Sequence, residues 1–141
     1  MDPRVLDLID TELALLVRRA TSLSNDKSFA NLDRSAYLLL NHMIASGPTG
    51  VRALADEFRL DISTVSRQIA ALEQKGYVLR SPNPDDGRAY FFEVTESGRA
   101  EHAEYKKMRQ ARITEKMQGW SDEERRTFGD LLRKFNRTLN Q

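Results

Sequence analysis

A chain of 141 residues has room for one domain with a moderate core, or for one domain with a dimerisation extension. Hydrophobic residues at 40% and charged residues at 30% exclude a disordered chain, and a net charge of only +1 gives no general basic character to advertise a nucleic-acid partner. Cysteine is absent, which excludes disulfides, thiolate metal sites and thiol redox sensing together.

The N-terminus, Met-Asp-Pro-Arg, lacks a basic-then-apolar leader. No apolar run approaches the ~20 residues of a membrane span, so the expectation is a cytoplasmic protein with no membrane partner. Asp2-Pro3 predicts a helix start, a cap followed by a residue with pre-set φ. The helix predicted over 4–23 carries Val5, Leu8, Ile9, Leu13, Leu16, Val17, Ala20 and Leu23, with Leu6 and Leu15 adding apolar surface outside that stripe. A first helix apolar on more than one side implies burial against a second surface, such as another subunit. The polar stretch Ser22–Asn31 reads as a loop. Asp33 then caps a second helix with Ala36, Tyr37, Leu40, Met43 and Ile44, ended by Gly47-Pro48.

A short third helix, about Val51 to Phe58, places Val51, Leu54, Ala55 and Phe58 at i, i+3, i+4 and i+7. Arg59-Leu60 leads directly into a fourth, with Asp61 at the N-cap position and Gly76 at a left-handed C-terminal cap. Ile62, Val65, Ile69 and Leu72 lie along one side and are expected in a core. About half a revolution away stand Ser63, Arg67, Ala70 and Gln74, with Thr64 and Ser66 on the flanks. A merely solvated face would more typically carry Glu and Lys. Short hydroxyl residues around one fork-shaped cation let another surface approach closely, and a DNA major groove is such a surface. Two short helices so joined form a helix-turn-helix pattern.

After Gly76 the period changes from helix to strand. Tyr77–Arg80 is a run of β-formers, and Tyr90–Thr95 alternates Tyr90, Phe92 and Val94 against Phe91, Glu93 and Thr95. Between them Pro82–Arg88 is dense in turn residues, which predicts a β-hairpin with a stiff polar tip, a wing. Thr95 caps a long charged helix, about Glu96 to Gln118, with a weak stripe of Ala100, Ala103, Ala111 and Met117. Gly119 breaks it, and Ser121–Glu124 forms a capping box before a last helix striped with Phe128, Leu131, Leu132, Phe135 and Leu139.

The fold class expected is therefore mainly α with a small β-hairpin. A winged helix-turn-helix domain, 33–95, would be flanked by a helical dimerisation region from 1–32 and 96–141. His42 and His102 lack metal-ligand spacing and read as satisfied helix-surface histidines, and Tyr37 and Met43 read as core rather than pocket lining. No nucleophile–histidine pairing, phosphate loop or paired carboxylate is present, so no catalytic residue, metal or cofactor is expected.

With these residues in order, the chain resembles the MarR family of winged-helix transcriptional regulators. Residues 63–78, Ser-Thr-Val-Ser-Arg-Gln-Ile-Ala-Ala-Leu-Glu-Gln-Lys-Gly-Tyr-Val, are similar to the family's recognition helix. Asp86-Gly87-Arg88 resembles its wing Asp-x-Arg, and Val94-Thr95-Glu96-Ser97-Gly98 resembles the Leu-Thr-x-x-Gly that opens its long helix, with Val for Leu. Trp120–Glu124 resembles the start of its last helix. The resemblance implies a homodimer on a pseudo-palindromic double-stranded operator, with one recognition helix per half-site in the major groove and each wing at the adjacent minor groove. It implies DNA contact by Ser63, Thr64, Ser66, Arg67 and Arg88, and a role for Asp86 in holding the wing tip or orienting an Arg. The resemblance also implies regulation as in many members of the family, which release DNA when a small aromatic or phenolic ligand, or an oxidant, acts on them, so a ligand-responsive repressor is expected.

One difficulty stands against it. Thr49–Thr95 holds six Lys/Arg (Arg52, Arg59, Arg67, Lys75, Arg80, Arg88) against seven Asp/Glu, whereas non-specific DNA affinity comes largely from phosphate neutralisation. A winged-helix module that docks proteins without touching DNA is the alternative.

Overall fold

Leu40, Leu54, Val65 and Val78 are each sealed from solvent, and they come from three helices and a strand. The four mark the centre of a core built by residues 32–108, each such side chain contributing about 1.5–3 kcal/mol relative to exposure. The computed structural model describes residues 1–20, 32–83 and 85–140, with only the backbone of Asp86. The expected loop Ser22–Asn31 and the end of the predicted first helix, 21–23, lie outside the described residues. Two compact units make up the chain, residues 1–109 and 110–141.

In the first unit the elements are α1 (Pro3–Arg19), α2 (Arg34–Ser46), β1 (Thr49–Gly50), α3 (Val51–Phe58), α4 (Ile62–Gln74), β2 (Val78–Asn83) and β3 (Asp86–Val94), followed by most of α5 (Glu96–Lys116). The helix starts follow from local chemistry. Asp2 accepts from the Arg4 backbone N–H at 2.9 Å, and Asp33 from that of Ala36 at 2.8 Å. At the end of α4, Gly76 takes φ +80°, and the Tyr77 N–H returns to the Leu72 carbonyl at 2.9 Å, closing a left-handed cap.

The sheet has three antiparallel strands in the order β1-β3-β2. Thr49 and Gly50 pair with Phe92 and Phe91, a third strand that two residues after Gly47-Pro48 do not announce. The hairpin is longer than its β-former run. Strand pairing extends through Pro82, and the turn residues Gly87 and Arg88 belong to β3. Pro82 pairs with Tyr90 while Asn83 pairs with Asp86, so Gly87, Arg88 and Ala89 bulge out of register.

Two expectations about faces are corrected. Ile62 is 47% exposed, whereas Val65, Ile69 and Leu72 are buried. It shares their side of α4 but sits in the first turn, beyond the end of the core. The buried face of α5 is Gly98, His102, Tyr105 and Met108, spaced by four, three and three, and not the alanine stripe, whose Ala100, Ala103 and Ala111 are exposed. His102 is accordingly a buried residue rather than a surface one, at 7% exposure, with Nε2 3.1 Å from Asn41 Oδ1 and its ring stacked 5.0 Å from Tyr37. Burial pushes its pKa down, and nearby Lys106 adds to the effect.

The second unit contains the end of α5, a turn in which Gly119 takes φ +87°, and α6 (Asp122–Leu139). The capping box is complete. Ser121 N–H donates to Glu124 Oε1 at 2.8 Å and Glu124 N–H to Ser121 Oγ at 3.1 Å, which holds the Glu124 carboxyl below its ordinary pKa. The Trp120 ring meets Phe128 edge-on at 5.4 Å. Neither α1 nor α6 buries a single residue, and both present exposed apolar stripes, Leu131 and Leu139 being 58% and 60% exposed.

Candidate nucleic-acid interface

The site begins in the turn between α3 and α4. Arg59 closes α3 in the left-handed region at φ +51°, and the Leu60 N–H reaches back to the Ala55 carbonyl at 3.0 Å. This tight reversal lets α4 leave with its core face inward. Asp61 occupies the N-cap position in extended backbone, but its side chain makes no cap hydrogen bond. The first turn of α4 therefore keeps its N–H groups, and the positive end of its dipole, for whatever lies in front of Ser63.

Ser63, Ser66 and Arg67 are exposed on α4, together with Ala70 and Gln74. Thr64 is half-buried and turns toward α2, where with Arg67, Gln68, Ala71 and Lys75 it lines an open groove closed by Asp33 and Ala36. The structure thus brings Thr64 and Arg67 together with two residues that the reading of the outer face passed over, Gln68 and Lys75. Both recur at helical spacing from Thr64, at i+4 and i+11, and that spacing was the available signal.

Arg88 is exposed on the wing bulge and lines a separate groove with Arg52, Ala53 and Tyr90 at the start of α3. Thr64 and Arg67 therefore border one groove and Arg88 another, each with at least one further cation, while Ser63 and Ser66 line neither. The backbone of Asp86 opens β3, and its side chain lies outside the described residues.

Two of the charges in this segment pair with each other in space. Arg80 Nε and Nη2 grip Glu73 Oε2 and Oε1 at 2.7 and 2.8 Å, a bidentate pair between β2 and the last turn of α4. The hydrogen bond from Arg80 is the main reason the Glu73 carboxyl is held below its ordinary range. One acid of the seven is thus neutralised in the last turn of α4 at the expense of one of the six cations, and the excess of one acid remains. Asp56 and Glu57 are exposed on α3.

Comparison with known proteins agrees with this geometry. The MarR family model matches residues 32–90, from the start of the core into β3. The uncharacterized HTH-type transcriptional regulator YxaD of Bacillus subtilis is 41% identical over 135 residues, 95% of this chain and 94% of its own length. A MarR family protein from Bacillus stearothermophilus superposes with a TM-score of 0.79 at 21% identity, covering 100% of this chain and 99% of that one. The transcriptional regulator BldR from Sulfolobus solfataricus gives a TM-score of 0.77 at 21% identity, over 99% and 98% of the two chains. At such identities the structures establish the fold, and the YxaD match with the family model establishes descent: the chain belongs to the MarR family of winged helix-turn-helix transcriptional regulators.

Proposed function

We propose that this regulator binds double-stranded DNA sequence-specifically as a homodimer, each subunit laying α4 in the major groove of one half of a pseudo-palindromic operator. The observation that carries the reading is the division of α4. Val65, Ile69 and Leu72 are at most 2% exposed, while Ser63, Ser66 and Arg67 stand on the surface. Arg67 is suited to a guanine edge or a phosphate, and the serines to base edges or phosphate oxygens. Thr64 would reach the backbone from the flank. Arg88 would enter a narrow A·T minor groove, where negative potential is concentrated, with Asp86 orienting it or the wing tip.

The exposed stripes of α1 and α6 support the dimer, because soluble monomers avoid apolar patches of that extent. Pairing them across a two-fold axis matches half-sites about 34 Å apart. In this reading the protein is a cytoplasmic repressor without catalytic role or cofactor, and a small aromatic or phenolic effector releases it. Among the described residues no helix is long and apolar enough to cross a membrane, and no cluster of side chains could hold a metal. Selection of bound fragments from a random DNA pool, followed by mobility shift on the enriched sequence, tests the proposal. Enrichment of an inverted repeat is expected. A pool that stays random would favour the protein-docking alternative.

A further inference from the structure

Arg80 holds a position that neither the core nor the reading surface requires. Its guanidinium grips Glu73 of α4 at 2.7 and 2.8 Å while lying 4.9 Å from the Tyr90 ring centroid and 5.7 Å from that of Phe92 on β3. One planar group is therefore clamped by a carboxylate from the recognition helix and by two rings from the wing. Its side chain is 49% exposed, and Glu73 is 28% exposed. Pairs this wet contribute little to stability, so holding the fold together is a weak explanation for so specific an arrangement. Direction is what a bidentate fork supplies and a point charge does not. Tyr90 is also the first residue of β3 back in register after the Gly87–Ala89 bulge that carries Arg88. The clamp thus sits between α4 and the wing tip.

We propose that Arg80 is a positioning residue that sets the separation between recognition helix and wing, and through it the number of base pairs between the sequence α4 reads and the A·T flank the wing prefers. The proposal rests on the DNA-binding reading above. Adjacent base pairs are spaced about 3.4 Å along the duplex, so a wing held rigidly to α4 meets its flank at one spacing and misses it at the next. A Lys at position 80 would keep the charge but lose the fork and most of the ring contact, leaving a wing that tolerates several spacings.

The test uses the operator selected from a random pool by the unaltered protein. Into it one base pair is inserted between the bases specified by α4 and the A·T flank. The unaltered protein is expected to lose about tenfold in affinity, as for a mismatched position. Arg80→Lys is expected to bind the original operator more weakly, to melt close to the unaltered protein, and to show almost no further loss on the insertion. Glu73→Gln should behave alike, and serves if Arg80→Lys does not fold. If the unaltered protein tolerates the insertion, or if the variants keep its full penalty, the positioning role is overturned while DNA recognition stands. If no sequence is selected at all, the DNA reading falls and the proposal with it.

Discussion

Gly98 lies directly beneath the carbonyl group of Tyr77, so close that a methyl group on its Cα would be driven into the Tyr77 oxygen and within 2.9 Å of Val94 Cγ1. The first turn of α5 is thereby seated on the residue that ends the cap of α4. Three hydrogen bonds of Thr95 hold the same junction. Its hydroxyl donates to the Gly76 carbonyl at 2.7 Å and accepts from the Gly98 N–H at 3.0 Å, and its own N–H donates to the Tyr77 carbonyl at 3.0 Å. The end of α4, the hairpin root and α5 meet at one point, and the Thr-x-x-Gly spacing supplies both the cap and the side-chain-free contact that the junction needs.

Gly98→Ala should therefore destabilise the protein by about 1–3 kcal/mol, the range for overpacking a site that cannot give way. Urea unfolding followed by circular dichroism measures it. An unchanged midpoint would show that the Tyr77 carbonyl moves aside without penalty.

Arg67→Ala should lower affinity for the selected operator more than affinity for random DNA, by about 1–3 kcal/mol if the fork reads a base edge. Fluorescence anisotropy on both DNAs checks this. Equal losses would make Arg67 a phosphate contact.

Removal of the wing cation should have a different signature. Arg88→Ala should weaken binding chiefly to sites with A·T-rich flanks and reduce the slope of log affinity against log salt by about 0.9 per wing. A titration series in potassium chloride measures the slope, and an unaltered slope with unaltered flank preference would take the wing out of the DNA contact.

His102 should give the fold an acid-sensitive step. Its folded pKa lies below the ordinary value of 6.5 because burial disfavours the imidazolium, and Lys106 disfavours it further. Asn41 and the Tyr37 ring face it from α2, and Arg109 lies over Tyr37 at 5.5 Å, so no carboxylate appears among these contacts. Below about pH 6.5 the unfolded chain takes up a proton that the folded chain refuses. Stability is then full above that pH and falls with acidification toward the depressed folded pKa, by at most about 1.4 kcal/mol per pH unit. Thermal midpoints between pH 7.5 and 5 should show the fall, and His102→Gln should flatten it.

Sedimentation should show a dimer at micromolar concentration, at twice the 16.2 kDa of one chain. Replacing Leu132 and Phe135 by Asp should give aggregated or unfolded protein, because the apolar stripe of α6 remains 38–60% exposed in the single chain and the dimer would cover it. A compact 16.2 kDa species from the unaltered chain would remove the paired half-site mechanism.

Much of this architecture was legible in the amino-acid sequence because it is decided by residues within a few positions of one another. Asp2, Asp33 and Ser121 cap backbone N–H groups two or three residues away. Gly76 is the residue best able to take φ +80° after α4, and the three-and-four spacing of Val65, Ile69 and Leu72 marks a buried face whatever covers it. The exposed Ser63, Ser66 and Arg67 follow from the same period.

What the tertiary structure alone decided depends on partners far along the chain. His102 scores as a polar helix residue, and it is buried because Asn41 and Tyr37, about sixty positions earlier, supply a hydrogen bond and a ring. Ile62 fits the core stripe and is nonetheless exposed, since a helical period gives an angle and not the point along the axis where the core stops. Thr49 and Gly50 form a strand only because Phe91 and Phe92 pass beside them. Arg80 and Glu73, two unremarkable surface charges by composition, become a clamp only when the hairpin folds back along α4. Local periodicity and capping act within one or two turns of backbone, whereas burial and pairing are set by which distant surfaces the folded chain brings together.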